Sequence, residues 1–331
     1  MERNELKGNK EYEEFVEKFS NCMKEEMGEG IEIHRDSIQK INGELDGIVV
    51  KYPESAIAPT IYLEGLYQKY QDGYTTKQLS KEMAEKINEA YKNAPKLPEF
   101  TRKEAEEKLY SVLINEKDNR ELLRGVPHEI LGDMAIIPKY RVDDEASIVV
   151  SNTMCSKLRM TSEEVMEAAN RNTDKGNYEC YSMNDVMRDI MKRQEVPDEY
   201  IENYLMIHGK DPMYVLTNQN KYEGSAAMIS PTTMNAVYKK MKEEYSTMNS
   251  MYVIPSSRHE LILLPDTEVV DEKNLEEMHK EVQKEELEDA DRLSNKVYKY
   301  DSRTKKITMV EEIKKTKQEE PQVTKSLGRS C

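Results

Sequence analysis

The apolar residues of this chain fall into two patterns. Some form short runs of four or five, paired across polar turns; others form helical stripes that open on capping residues. A fold has to bury both. The paired runs suit short antiparallel strands, and the stripes suit amphipathic helices packed on them. The expected class is therefore α+β, with short antiparallel strand groups interleaved with amphipathic helices. A doubly wound nucleotide fold would also need a glycine-rich loop between a strand and a helix, and the sequence has none.

Tyr12, Phe15, Val16, Phe19, Cys22, Met23 and Met27 share one helical stripe, which Gly28 and Gly30 end. Strands are expected at 31–35 and 48–52 around a turn at 43–47, then helices at 64–72 and 76–93. Pro95 and Pro98 mark a linker. Thr101 and Glu104 make a capping-box pattern whose helix would bury Ala105, Leu109, Val112 and Leu113. Further on, the patterns predict strands at 134–138 and 146–150. Capped helices begin at Thr161 and Ser182, and a further helix is expected at 197–204. Strands follow at 213–217 and 226–229. Ser230 with Pro231 reads as an N-cap followed by proline at the first helical position. The last elements are strands at 251–255 and 260–264, an acidic helix at 271–291, and a closing hairpin of 297–300 with 305–309. This divides the chain into an N-terminal helix and strand region (1–95), a central α+β region (96–210), a C-terminal α+β region (211–310) and a polar tail (311–331) expected to be disordered.

Charge narrows the function classes. There are 64 acidic against 49 basic residues, a formal charge of -15. Binding to a nucleic-acid backbone is carried by Lys and Arg that displace counterions, and here basic residues occur in pairs at most. No nucleic-acid partner is expected, and no stretch approaches the ~18 apolar residues of a membrane span. The first 14 residues are charged and lack the apolar core of a secretory signal, so the expected compartment is the cytoplasm. Ten Asp or Glu against three Lys crowd residues 271–291. That segment reads as a solvated helix face or, alternatively, as an acidic surface for a basic protein partner.

Cys22, Cys155, Cys180 and Cys331 are far apart with no C-x-x-C, and no two of the five histidines are three to five residues apart. Neither a disulfide framework nor a local metal motif follows; no metal and no cofactor are expected. The 20 tyrosines are spread along the chain and read as half-buried structural residues. The Walker, G-x-G-x-x-G, G-x-S-x-G and H-E-x-x-H patterns are all absent. S-x-x-K occurs at Ser37–Lys40 and Ser302–Lys305, both in expected turns. One constellation carries chemistry-bearing groups: Ser256, Ser257, Arg258, His259 and Glu260, between two apolar strands. A serine, a histidine and a carboxylate are the parts of an activated nucleophile. On a strand, however, Ser257 and His259 project side by side, ~7 Å apart, while Glu260 faces the other way. The expected role is a hydrogen-bonded strand connection, with ligand binding and nucleophilic catalysis as the alternatives. His128, just before an apolar strand, is likewise expected to be structural.

Several ordered segments taken together carry a resemblance: Ala58-Pro-Thr-Ile-Tyr-Leu63, Asn119-Arg-Glu-Leu-Leu123, Val126-Pro-His128 with Asp133-Met-Ala-Ile-Ile137, Met213 to Asn218, Tyr252 to Ser257 with His259-Glu260, and Leu293-Ser294 with Val297 to Asp301. From about residue 10 to 310 the chain resembles the bacterial family catalogued as domain of unknown function 5688. The resemblance implies no catalytic residue. The function expected from the sequence is binding or interaction without catalysis. The alternatives are a hydrolase using Ser256, Ser257, His259 and Glu260, and an acidic decoy for a nucleic-acid-binding protein.

Overall fold

The structure is a computed structural model that describes residues 6, 8–53, 58–93, 100–143, 146–267, 274–277, 279–280 and 287–314. The chain forms two compact units, Met1–Glu99 and Phe100–Cys331. The expected central and C-terminal regions lie together in the second.

In the first unit, helix α1 (Lys10–Met27) places Phe15, Phe19 and Met23 in the core, as its stripe requires. Asn9 caps it by accepting from the N–H groups of Glu11 and Tyr12. Strands β1 (Glu32–Lys40) and β2 (Gly43–Lys51) form a hairpin longer than expected. The turn is at Ile41-Asn42, between the paired residues Lys40 and Gly43, not across 43–47; Asn42 takes a left-handed φ of 62° there, a conformation asparagine adopts more readily than most residues. The Ser37–Lys40 S-x-x-K pattern therefore lies in a strand. Strand β3 (Thr60–Tyr62) pairs with β2 and leads into helices α2 (Leu63–Gln71) and α3 (Thr76–Lys92). Ile48, Val50, Leu63 and Leu79 complete this core.

In the second unit, helix α4 (Arg102–Lys108) stops early. Leu109, Val112 and Leu113, expected on that helix, lie instead in strand β4 (Leu109–Asn115). After the short helix α5 (Arg120–Arg124) come β5 (Glu129–Leu131), β6 (Met134–Arg141) and β7 (Ser147–Val149). Strand β6 pairs with β4, β5 and β7 in one antiparallel sheet. Helices α6 (Asn152–Leu158) and α7 (Ser162–Asp174) follow, α7 with the expected Thr161–Glu164 capping box.

The larger, six-stranded sheet has the order β13-β12-β10-β11-β9-β8. Its strands are β8 (Tyr178–Ser182), β9 (Tyr214–Asn218), β10 (Ser250–Ile254), β11 (Leu261–Pro265), β12 (Tyr298–Asp301) and β13 (Lys306–Met309). Helices α8 (Met183–Arg193) and α9 (Asp198–His208) connect β8 to β9, and α10 (Pro231–Glu244) starts at the Ser230 cap. Residues 226–229, expected as a strand, belong to a 3₁₀ turn, Gly224–Ile229. Its small buried residues Ala226 and Ala227 let the backbone lie close to β9 and α7 rather than extend. One core joins both sheets, with Leu113, Met134 and Ile136 packed with Tyr214, Leu263 and Tyr298. Of the expected acidic helix, residues 274–277 and 279–280 are helical and Asp289–Asp291 form a 3₁₀ turn; 271–273, 278 and 281–286 lie outside the described residues. In the expected polar tail, 311–314 are helical and 315–331 lie outside the described residues.

Candidate functional site

Strand β9 ends in a loop that folds back on itself. The Asn218 side chain donates to the Tyr222 carbonyl (2.7 Å) and accepts from the Tyr222 N–H (3.1 Å). Lys221 within this clamp and Glu223 just after it have φ of 53° and 56°. Left-handed backbone costs roughly 1–2 kcal/mol for a residue with a Cβ. Gly224 follows, and a Cβ there would lie 2.4 Å from Thr217 Oγ1 and 2.5 Å from the His259 carbonyl. The close approach of the β9–β11 backbone requires glycine.

The strained loop delivers Glu223 into the interior, where it is 5% exposed. Its Oε1 accepts from Lys139 Nζ at 2.6 Å and Arg258 Nη2 at 3.1 Å; its Oε2 accepts from Tyr110 Oη at 3.0 Å. Lys139 comes from β6, Tyr110 from β4 and Arg258 from the β10–β11 connection, so both sheets converge on one carboxylate. Burial first, and then the neighbouring carboxylate, push the Tyr110 phenol above its ordinary pKa. It stays a proton donor. Two buried cations meet one carboxylate, and Arg258 Nε is buried without a hydrogen-bond partner among the described residues.

His259 sits beside this cluster. The Glu223 N–H donates to His259 Nδ1 (3.1 Å), which places the imidazole proton on Nε2, bonded to Asp291 Oδ1 at 2.9 Å. Arg258 reaches the same segment, through Nη1 to the Ala290 carbonyl and through its N–H to the Asp291 carbonyl. Tyr222 covers the imidazole, with ring centroids 5.1 Å apart. The expected serines are close in sequence but do other work. Ser257 Oγ accepts from the His259 backbone N–H (3.0 Å), and Ser256 Oγ donates to the Glu260 carbonyl (3.2 Å), with Glu260 Oε1 at 3.3 Å. Both imidazole nitrogens are engaged, neither by a serine. His128 Nδ1 is bonded to the Val126 carbonyl at 2.9 Å.

A cavity of about 560 Å³ opens against the buried carboxylate. Its lining includes Tyr110, Arg141, Asn177, Asn220, Tyr222 and Glu223. The Arg141 guanidinium lies 5.1 Å over the Tyr110 ring, and Lys139 Nζ lies 5.8 Å over the same ring. Among the described residues, no group of three His, Cys, Asp or Glu is placed to hold a metal ion, and no helix is long and apolar enough to cross a membrane. Cys22, Cys155 and Cys180 are free thiols.

Sequence reading found His259 and its serines but missed Glu223, Lys139 and Tyr110. The available signal was Lys139, a cation continuing the apolar run 134–138. Its partners are 29 or more positions away and meet it only through sheet pairing.

No curated protein and no solved structure matches the chain. Residues 12–302 match the family model described as "Family of unknown function (DUF5688)", and the chain belongs to that family.

Proposed function

We propose that this chain binds a small polar ligand in the cavity at Glu223 and carries out no chemistry of its own. One observation carries the reading: a buried, fully engaged carboxylate, held on left-handed backbone, forms part of a polar cavity wall. Strain of this kind persists where the surroundings enforce it, and it concentrates at ligand clamps and active sites. The volume lies in the roughly 300–1,000 Å³ range of small-molecule sites.

Catalysis fits less well. A nucleophile needs a base within hydrogen-bond reach. The Glu223 oxygens are taken by Lys139, Arg258 and Tyr110, and the His259 nitrogens by Glu223 and Asp291. The Ser257 hydroxyl is on backbone.

The test is a thermal-shift screen of the full chain against sugars, nucleotides, amino acids and carboxylic acids, run beside ester and amide hydrolysis assays. The expected result is a rise in Tm with at least one compound, abolished in Asn177→Ala/Asn220→Ala, and no turnover. Hydrolysis lost in both Ser257→Ala and His259→Ala would overturn the reading in favour of a hydrolase.

A further inference from the structure

Among the cations at the cavity wall, all but one already have a role; of the lining carboxylates, Glu107 has no ion pair among the described residues. Glu223 is neutralised from behind by Lys139 and Arg258. Lys108 and Lys175 also line the cavity and have no carboxylate partner among the described residues, but they stand at the C-terminal ends of α4 and α7. There a cation offsets the negative end of the helix dipole. Arg141 has no such role. It is exposed at the end of β6, and among the described residues no carboxylate lies within ion-pair distance of it. The Tyr110 ring, itself pinned by the bond from its hydroxyl to Glu223, supports the guanidinium. An arginine fixed in this way has its fork of N–H donors ready for a planar or tetrahedral oxyanion.

The charge count agrees. Among the described residues, Lys108, Lys139, Arg141, Lys175 and Arg258 line or back the cavity, against Glu107, Asp143 and Glu223. Adding Asp291, which is engaged by His259, still leaves the cations in excess. Among the described residues the cavity thus carries a small excess of positive charge on a chain of net charge -15, which favours an anion.

The remaining wall is built for hydroxyls. The side chains of Asn177, Gln219 and Asn220 line the cavity and make no hydrogen bond to protein among the described residues. Each amide both donates and accepts, as a hydroxyl does. The aromatic faces offer less: Tyr110 carries Arg141 and Lys139, and Tyr222 carries His259 and Lys139. Stacking of a flat base is not what this wall presents.

We infer that the cavity takes a small, hydroxyl-rich ligand bearing one oxyanion, a carboxylate or a phosphate, with Arg141 as the anion anchor and Asn177, Gln219 and Asn220 as hydroxyl partners. The inference rests on the reading that the cavity binds a ligand at all.

The test is calorimetric titration of the full chain with D-glucuronate, D-glucose 6-phosphate, D-glucose and inorganic phosphate. At least one of the two sugar anions is expected to bind ten-fold or more tightly than glucose and than phosphate alone. That advantage should disappear in Arg141→Gln, recover in part in Arg141→Lys, and shrink as salt is raised. Whichever of glucuronate and glucose 6-phosphate binds more tightly identifies the anion. Arg141 is exposed, so the variants are expected to unfold at the same denaturant concentration as the wild type. Glucose binding as tightly as its anions, an advantage that survives Arg141→Gln, or no binding of any of the four at millimolar concentration would each overturn the inference. Its failure is separable from failure of the binding reading. A neutral or cationic compound that raises Tm through Asn177 and Asn220 leaves the cavity a binding site and removes only the anion.

Discussion

The two units each build a network from an arginine, carboxylates and a tyrosine, in opposite surroundings. In the first, Arg35 forks onto Glu13 (2.6 and 3.1 Å) and donates through Nε to Asp46 at 2.8 Å, while Tyr12 donates to Asp46 at 3.0 Å. The Arg35 and Glu13 side chains are 36% and 45% exposed. In the second, Arg258, Lys139 and Tyr110 close on Glu223 with every cation and carboxylate under 10% exposed. The first network fastens α1 to a hairpin whose backbone is already satisfied by its ladder. The second holds a backbone conformation that would relax without it. Similar bonds thus do different work: water reaches Arg35 and Glu13 but not Glu223 and its two cations.

The sharpest way to break this contrast is Glu223→Ala. It leaves Lys139 and Arg258 buried without their carboxylate, a situation that costs ~3–5 kcal/mol. Urea unfolding should show a loss of that order; a loss below ~1 kcal/mol would mean that water reaches the cluster and the contrast is false.

The next effect is a pH dependence that belongs to the second unit. Burial, the largest cause, lowers the pKa of His279 to about 4 from an ordinary 6.5, against smaller opposing effects of Ser294 and Asp133. The unfolded chain therefore takes up this proton first. Stability should be full above pH ~6.5 and fall by roughly 2–3 kcal/mol as the pH drops toward 4. Urea midpoints across that range should lose this slope in His279→Leu.

A smaller loss is expected from His259→Ala. It leaves the Glu223 N–H and Asp291 without their partner, at ~1–3 kcal/mol. An unchanged or raised melting temperature would contradict the role of His259 as a support for the loop and point to a residue held for function.

The smallest effect tests the exposed side of the comparison. Glu13→Gln should change stability by less than ~1 kcal/mol, and salt should shrink the difference further. A loss matching that of Glu223→Ala would erase the distinction between the two networks.

How much of this could be read from the sequence varies with how local the cause is. The α1 stripe and the caps at Thr161, Ser182 and Ser230 depend on residues three or four apart, and all were legible. Leu109, Val112 and Leu113 were not. Their spacing fits a helix face as well as a strand, and it is the pairing of Leu109–Asn115 with Met134–Tyr140 that decides. At 43–47 the two glycines suggested a turn, whereas Gly47 sits in β2, paired with Asp36 and Tyr62, and is glycine because a Cβ there would lie 2.8 Å from Thr60 Cγ2. Of the site, His259 was visible as a reactive residue type among polar neighbours. A glutamate before a glycine in a loop carries no local mark of burial, and only the meeting of β4, β6 and β9 creates one.

The Asn218–Tyr222 clamp has a kinetic consequence. For the loop to swing away from the cavity, Glu223 must release Lys139, Arg258, Tyr110 and His259 in one concerted event. Opening of that kind belongs to rare excursions rather than to nanosecond loop motion. A ligand entering this cavity therefore meets a mould already set. Its association rate should rise linearly with concentration, without the plateau that a slow opening step imposes. The Glu223 amide hydrogen, locked onto His259, should exchange with solvent on the timescale of the core strands.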